Sequence, residues 1–368
     1  MKYSLRAIGL LATASAASVL VFACNNPIEV DAKVDFSGRT IEWIIPFKEG
    51  GGSDRWARFY APLLRDALPG RPTVVVRNMP GAGSTKGANA FAARARPDGL
   101  TILGTSGSTQ FPYLLDDPRV RYEYREWKIV LASPTGGVVY VSPKLGVGSA
   151  SEMLRIRNVE LLYGSQGATS LDLVPLLAFE LLGLNVNPIF GMKGRATARA
   201  AFERGETNID YQTSSAYLTR VKPLVEQGEA VAMFSWGVVD ADGNLVRDPT
   251  FPKLPHFAEV YETLYGEPPS GFAFDAWKSF FIAGFSAQKM VFLPGETSPE
   301  IVTVYSKALD AVIGAVDFPE RSIACLGVYP QVTGDAATAK LEQAINVNPE
   351  AITWVKSWLN ERFGVAIE

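Results

Sequence analysis

The chain has 368 residues, of which 47% are apolar and 20% charged, and its formal net charge at pH 7 is −3. This length exceeds what one hydrophobic core usually organises, so we expect two domains. The weak negative charge, without any basic tract, excludes nucleic-acid binding through phosphate contacts. One histidine and two cysteines leave no cysteine and histidine zinc site, and we expect no metal and no cofactor.

The N-terminus has the pattern of a targeting segment. Two basic residues and an apolar run over 7–22 precede Ala23 and Cys24, which predicts a signal peptide over 1–23. The sequence before Cys24, VFAC, resembles a bacterial lipobox, although simple secretory cleavage beside an incidental cysteine is the alternative. We expect a periplasmic protein anchored through a lipidated Cys24 and followed by a tether over 24–37.

The rest of the chain is organised around the stretch from Ile41 to Phe59, IEWIIPFKEGGGSDRWARF, which predicts a strand, a glycine loop and a helix. Ser53 suits the N-cap of that helix, and Asp54 suits its first turn. The three glycines before Ser53 allow another group to come close to the unpaired backbone N–H groups of the helix start. Such a loop favours an anion, and an ordinary turn with purely structural glycines is the alternative.

Strands then alternate with helices, which predicts an α/β fold with mostly parallel sheets. In such a sheet the loops beyond the carboxyl ends of the strands face the ligand, and the polar loop over 104–109 follows the third strand. The pattern occurs a second time, where a strand over 161–163 leads into the glycine and hydroxyl loop over 164–170. A strand over 280–285 and helices after 298 and 348 are predicted to complete the first domain.

We therefore predict two doubly wound α/β domains joined by a hinge. The first domain comprises 38–137 and 238–368, and the second comprises 138–237. Catalytic motifs are absent: no G-x-S-x-G elbow surrounds the loop serines, and His256 lies in a proline-flanked connection. We expect no enzyme, and a hydrolase using Ser53 or Ser106 is the alternative.

The motifs also carry a family resemblance. IIPFKEGGGSDRWAR, followed by VVVRNMPGAGSTKGANAFAARARPDGLTIL, resembles the opening of the Bug-type extracytoplasmic solute receptors of tripartite tricarboxylate transporters. Weaker matches follow at 164–170, at 190–194 and at 203–210. The resemblance implies a two-lobed periplasmic binding protein fold that closes on a small organic carboxylate. It also implies delivery to a permease of one large and one small multi-span subunit, with a sensor for a membrane signalling protein as the alternative.

The two facing loops supply the predicted site. We expect the carboxylate between two helix N-termini, bonded by backbone N–H groups and by the hydroxyls of Ser53, Thr169 and Ser170. The alternative assigns binding to the basic side chains Lys48, Arg55, Lys193 or Arg195. One departure from the family is Asp172, which would repel a second carboxylate unless protonated or turned away. The predicted ligand-binding residues are Phe47, Gly50, Gly51, Gly52, Ser53, Asp54, Ser106, Ser108, Gln166, Gly167, Ala168, Thr169, Ser170, Asp172 and Tyr211.

Overall fold

The computed structural model describes residues 34–240 and 242–367. The predicted signal peptide, Cys24 and most of the predicted tether lie outside these ranges. The described chain contains two five-stranded sheets of mixed direction, each flanked by helices, and a two-stranded hairpin. This is the predicted α/β class. We call the part built on the first sheet lobe 1 and the part built on the second sheet lobe 2.

The sheet of lobe 1 has the strand order β2-β1-β3-β12-β4. The first three strands are parallel, as predicted, whereas β12 runs antiparallel to both of its neighbours. Its strands are β1 Thr40–Ile45, β2 Thr73–Asn78, β3 Thr101–Gly104, β4 Lys128–Ser133 and β12 Lys289–Leu293. Because β12 lies between β3 and β4, the C-terminal part of the chain completes the middle of this sheet.

The sheet of lobe 2 has the order β7-β6-β8-β5-β9. Strand β6 is parallel to its neighbours, and β5 is antiparallel to β8 and β9. Its strands are β5 Gly137–Val141, β6 Leu161–Gly164, β7 Val186–Ile189, β8 Ile209–Thr213 and β9 Val231–Ser235. The hairpin that follows consists of β10 Val238–Val239 and β11 Leu245–Val246.

Helices cover both sheets. They are α1 Gly52–Ala67, α2 Thr85–Arg94, α3 Gly107–Leu114, α4 Leu173–Leu181, α5 Arg195–Glu203, α6 Ser214–Ala216, α7 Lys222–Glu226, α8 Phe257–Tyr265, α9 Phe272–Phe285, α10 Pro299–Ile313, α11 Phe318–Leu326, α12 Gly334–Ile345 and α13 Pro349–Phe363. Over the described ranges, none of these helices combines the length and the apolar character that a membrane crossing requires.

The predicted strand over 280–285 is wrong, because these residues form the end of α9. This helix packs against α3, α4, α12 and α13, so its aromatic side chains from Trp277 onward are buried on several faces. A helix that is apolar all round has no amphipathic period, and its short apolar segments resemble a buried strand. The missed strand, β12, begins four residues after the helix ends.

One core cluster runs through both lobes. Helix α9 contacts α3 of lobe 1 and α4 of lobe 2, and Trp277, Phe280 and Phe281 within it are almost fully buried. Cores of this kind pack as densely as organic crystals, so they hold neighbouring elements in fixed positions. The loops of the two lobes therefore meet in front of a well-packed support.

Candidate ligand-binding cleft

A narrow cleft with a cavity volume of about 30 Å³ lies where the loops of the two lobes meet. Lobe 1 contributes the loop before α1, the start of α3 and the residue before β12. Lobe 2 contributes the loop after β6, the start of α5 and the end of β8. The lining residues are Phe47, Lys48, Gly51, Gly52, Ser53, Ser106, Ser108, Gln166, Leu171, Gly194, Arg195, Ala196, Thr213 and Gln288.

The N-terminus of α1 opens onto this cleft. The helix begins at Gly52, and Gly51 occupies the N-cap position without a side-chain cap. The prediction of Ser53 as N-cap is therefore wrong, because the chain turns into the helix two residues earlier. The first N–H groups of a helix have no acceptor within it, and those of Gly52 and Ser53 lie at the cleft. The Ser53 hydroxyl makes no hydrogen bond within the described chain, so it is also open to a ligand.

Asp54 holds the glycine loop before α1 in position through hydrogen bonds. Its carboxylate is buried and accepts hydrogen bonds from the Gly50 backbone N–H at 2.9 Å, from Asn78 Nδ2 at 3.0 Å and from Arg58 Nε at 2.9 Å. These bonds fold the glycine loop back over the start of α1. Asp54 and Gly50 are absent from the cleft lining. The structure thus gives Asp54 a positioning role in place of a ligand contact.

Gly52 is the position in this loop where a side chain has no room. A Cβ there would lie 2.6 Å from Thr213 Oγ1 and 3.0 Å from Ser215 Oγ, both in lobe 2. At Gly51, by contrast, the nearest atom to a Cβ would be the Lys48 carbonyl oxygen at 3.5 Å. The close approach of the two lobes therefore depends on Gly52.

The start of α3 connects the two lobes. Ser106 caps the helix, because its hydroxyl accepts from the Ser108 backbone N–H at 3.2 Å. The Ser108 hydroxyl in turn accepts from the Leu171 N–H at 3.1 Å and from Gln166 Nε2 at 3.4 Å. Both predicted serines thus line the cleft, and Ser108 links lobe 1 to the loop before α4.

The loop before α4 is closed on itself by Asp172. This carboxylate has no exposed surface and accepts hydrogen bonds from the Gln166 N–H at 2.6 Å and the Ser165 hydroxyl at 3.0 Å. Arg195 Nη1 lies 3.3 Å from the same carboxylate. The charge of Asp172 is therefore turned away from the cleft and balanced by Arg195. This departure from the family thus does not place a repelling charge in the cleft.

Arg195 is a buried cation that pairs with two carboxylates of lobe 2. Besides Asp172 it pairs with the buried carboxylate of Asp210, and it donates to the carbonyl oxygens of Gly164 at 2.7 Å and Tyr211 at 2.8 Å. Its guanidinium lies over the Tyr211 ring, 4.5 Å from the ring centre. Burial works against its charge, but Asp172 and the surrounding tyrosines Tyr163, Tyr211 and Tyr140 together outweigh this effect and raise the pKa of Arg195. Although Arg195 lines the cleft, its charge is already balanced by two carboxylates.

The remaining predicted residues of lobe 2 lie away from the cleft lining. Thr169 Oγ1 donates to Asp117 Oδ2 at 2.9 Å and accepts from Arg119 at 2.9 Å, which is a contact between the lobes. The Ser170 hydroxyl donates to the Gly167 carbonyl at 2.7 Å. Gly167, Ala168, Thr169, Ser170, Asp172 and Tyr211 are all absent from the lining.

The helix that faces α1 across the cleft is α5, not α4. Its N-cap residue Gly194 and its first residues, Arg195 and Ala196, line the cleft, and a Cβ at Gly51 would lie 3.9 Å from Ala196 Cβ. The hydroxyls of Thr169 and Ser170, which were predicted to bond the ligand, make hydrogen bonds within the protein. Thr213 and Gln288 also line the cleft, and neither was predicted.

No catalytic arrangement accompanies the loop serines. His256 caps α8 by accepting from the Glu259 N–H at 3.3 Å through Nδ1, and it is absent from the cleft lining. Within 34–240 and 242–367, no three histidine, cysteine, aspartate or glutamate side chains form a group suited to a metal ion. The residues that line the cleft thus supply hydrogen-bond donors and hydroxyls, and none of them is a histidine, an aspartate or a glutamate.

Two α/β lobes with a donor-lined cleft between them define a solute-binding protein of the periplasmic type. No protein-family model matches the chain. It is 30% identical over 246 residues to the protein BugT of Bordetella pertussis, an alignment that covers 64% of this chain and 68% of BugT. It is 26% identical over 322 residues to a UPF0065 protein of Pseudomonas sp. strain P51, covering 84% of this chain and 85% of that protein.

Solved structures show the same fold. The periplasmic binding protein BugD aligns with a TM-score of 0.67 and 22% identity, covering 88% of this chain and 98% of BugD. MatC of Rhodopseudomonas palustris, solved with bound malate, aligns with a TM-score of 0.63 and 18% identity, covering 87% and 100%. A second R. palustris protein, solved with adipate, aligns with a TM-score of 0.65 and 19% identity, covering 87% and 98%.

The chain belongs to the Bug family of extracytoplasmic solute receptors. The predicted family and the predicted two-lobed fold are confirmed. Among the structural neighbours, BugD is a periplasmic binding protein and a second is a periplasmic transporter.

Proposed function

We propose that this protein captures a small organic carboxylate between its lobes and delivers it to a membrane permease of the tripartite tricarboxylate type. The observation that carries this proposal is the pair of helix starts, α1 and α5, that face each other across the cleft. Unpaired backbone N–H groups at a helix N-terminus bind anions without a basic side chain. The malate and adipate bound by two structural relatives support a carboxylate as the ligand.

In this mechanism the carboxylate accepts hydrogen bonds from the first N–H groups of α1, with the hydroxyls of Ser53 and Thr213 beside it. Each helix dipole contributes up to roughly 2 kcal/mol in a partly buried site. The alternative, binding by a basic side chain, is less favoured because Arg195 is already paired with Asp172 and Asp210. Lys48 lines the cleft but is exposed to water.

The finer predictions on anchoring and partners belong to the same proposal. We infer that Cys24 is lipidated and holds the mature chain at a membrane, near a permease with one large and one small multi-span subunit. We also place the domain boundaries at 38–137 with 238–368, and at 138–237. Metabolic labelling with a fatty acid tests the anchor, and an unlabelled protein with a free N-terminus would contradict it.

Native mass spectrometry of the purified protein, followed by calorimetry with malate, adipate and their diamides, tests the ligand class. We expect a co-purified organic acid, binding of at least one dicarboxylate and no binding of the diamides. Equal binding of acids and diamides, or no binding of any carboxylate in a broad panel, would contradict the proposal. Lys48→Ala serves as a further variant: if it alone abolishes binding, a basic side chain and not the backbone holds the anion.

A further inference from the structure

A buried amine lies directly behind the cleft. Lys289 is the first residue of β12, and its side chain is only 2% exposed. A Cβ on Gly52 would lie 4.0 Å from Lys289 Cε, so the lysine packs beneath the start of α1. Nζ donates to Gln288 Oε1 at 2.6 Å. Within the described chain this is its one hydrogen bond, and no carboxylate forms a salt bridge with it.

This bond fixes the orientation of Gln288. An ammonium group has three donors and no acceptor, so the oxygen of the Gln288 amide must face Lys289. The amide nitrogen then lies on the other side, and Gln288 is one of the residues that line the cleft. Within 34–240 and 242–367, Gln288 Nε2 donates no hydrogen bond. The pair therefore presents a free N–H donor to the cleft with a buried cation behind it.

We propose that Gln288 binds the ligand carboxylate through its amide nitrogen and that Lys289 is a positioning residue that takes up a proton from solvent when the anion enters. This inference rests on the proposed function and names a further specificity determinant of the same cleft. A neutral amine can also accept a hydrogen bond, so loss of the proton frees the Gln288 amide to turn over. Protonation of Lys289 and the binding-competent orientation of Gln288 are thus coupled.

The groups around Lys289 do not hold it in one protonation state, so a bound ligand can change its charge. Burial lowers the pKa of Lys289 to about 7, and the nearby Cys325 thiol on α11 acts weakly in the opposite direction. The other titratable groups around this thiol are Arg55 and Tyr60, both on α1. No carboxylate of the described chain offsets the burial, so the anion that enters the cleft is the missing counter-charge.

The sign of the pH dependence follows from this lowered pKa. Below pH 7 the amine is already protonated in the empty cleft, and binding takes up no proton. Between pH 7 and the raised pKa of the complex, binding takes up a proton, so affinity falls as pH rises by at most about tenfold per pH unit. Malate and adipate are fully ionised above pH 7, because free carboxyl groups titrate near pH 4. Ionisation of the ligand therefore does not contribute to the slope.

Calorimetry at pH 8 with malate and with adipate, in two buffers of different ionisation enthalpy, measures the proton uptake directly. We expect up to one proton per ligand for the wild type and about tenfold or more weakening between pH 7 and pH 9. Lys289→Met should remove both the uptake and the slope. Lys128→Met on the exposed edge of β4 is the matched control and should keep both.

The outcomes separate the two proposals. Failure of every carboxylate to bind the wild type overturns the proposed function. Binding without proton uptake, or a Lys289→Met variant that keeps the pH slope, overturns the role of Lys289 alone. Gln288→Leu keeps the amine and provides the second test, whether or not Lys289→Met folds. It should weaken binding about tenfold at pH 7, and unchanged affinity would overturn the contact between Gln288 and the ligand.

Discussion

The glycine loops before α1 and α4 share one pattern, yet the structure uses them in opposite ways. Each combines glycine with hydroxyl residues, and in each an aspartate at the start of the helix accepts a backbone N–H from the loop. Asp54 accepts from Gly50, and Asp172 accepts from Gln166. In the first loop the remaining donors face the cleft. In the second loop the hydroxyls of Thr169 and Ser170 are bound to Asp117 and Gly167.

The difference comes from Arg195. Lobe 1 has no buried arginine beneath Asp54, whose partners among the basic residues are half-exposed, whereas Asp172 forms a fully buried cluster with Arg195 and Asp210. A buried charge requires paired and hydrogen-bonded partners, and the second loop supplies them. It therefore supports the cleft, while the first loop is free to bind. Glycine and hydroxyl content alone does not distinguish the two roles.

Arg195→Met should give the largest effect, because it leaves the carboxylates of Asp172 and Asp210 buried without a cation. We expect a loss of about 3 to 5 kcal/mol in the free energy of unfolding, as is typical when one partner of a buried ion pair is removed. Denaturant unfolding measures it. Arg204→Met, which removes an exposed pair with Glu206, is the control and should leave the stability close to that of the wild type. Equal effects of the two changes would contradict the assigned role of Arg195.

Gly52→Ala tests the close approach of the lobes at the first loop. The new Cβ would meet the Thr213 hydroxyl at 2.6 Å, so either the Thr213 side chain or the lobes must move for it to fit. We expect about tenfold or more loss of ligand affinity by calorimetry, with the fold retained in circular dichroism. Gly148→Ala is the control, since its Cβ would meet only Glu152 Oε2 at 3.6 Å. An affinity for Gly52→Ala equal to that of the control would rule out the closed contact as a condition of binding.

Ser53→Ala and Ser170→Ala compare the two loops directly. Ser53 presents a free hydroxyl to the cleft, so its loss should weaken binding by about 0.5 to 1.5 kcal/mol, the usual net value of one hydrogen bond. Ser170 donates to Gly167 within its own loop and should leave affinity within about twofold. Calorimetry on both variants measures the two losses of affinity. A larger loss for Ser170→Ala than for Ser53→Ala would show that the loop before α4 holds the ligand.

Asp117→Asn should give the smallest effect. Burial works to raise the pKa of Asp117, but the hydrogen bonds from Arg119 outweigh it and hold the pKa below its usual range. The carboxylate therefore stabilises the fold above about pH 4, and this contribution is lost as pH falls through the lowered pKa. We expect a slightly lower melting temperature than wild type at pH 7. A difference that grows on acidification would contradict this assignment.

Much of the fold was predictable because its signals are local. The strand that contains Ile41 and the helix starts after Ser298 and Asn348 are each encoded within a few residues, and all lie where the patterns placed them. Helix α9 was missed because its burial depends on four other helices, which a periodicity argument does not include. Strand β12 was missed because the residues that pair with it lie over 150 positions earlier.

The cleft lining was predictable mainly in lobe 1, because Gln166 is the one lining residue of lobe 2 in the predicted ligand-binding set. The glycines before Ser53 are consecutive and precede a helix, and this is a local signal. Gln288 and Thr213 reach the cleft through the positions of β12 and β8, which depend on pairing between distant strands. Gly194 before α5 repeats the pattern of glycine before a helix start, so it carried a usable signal. Which of α4 and α5 faces α1 across the cleft depended on the pairing of Asp172 with Arg195, and the sequence alone does not reveal that pairing.

The position of β12 also bears on how the protein assembles. When residues up to 133 have been made, β3 and β4 cannot pair with each other, because the strand between them lies at 289–293. All five strands of lobe 2 are complete by residue 235. Non-local pairing slows folding, and unpaired strand edges promote association with other chains. We therefore expect lobe 1 to finish folding last, with the β3 edge of an emerging chain unpaired until the C-terminal part arrives.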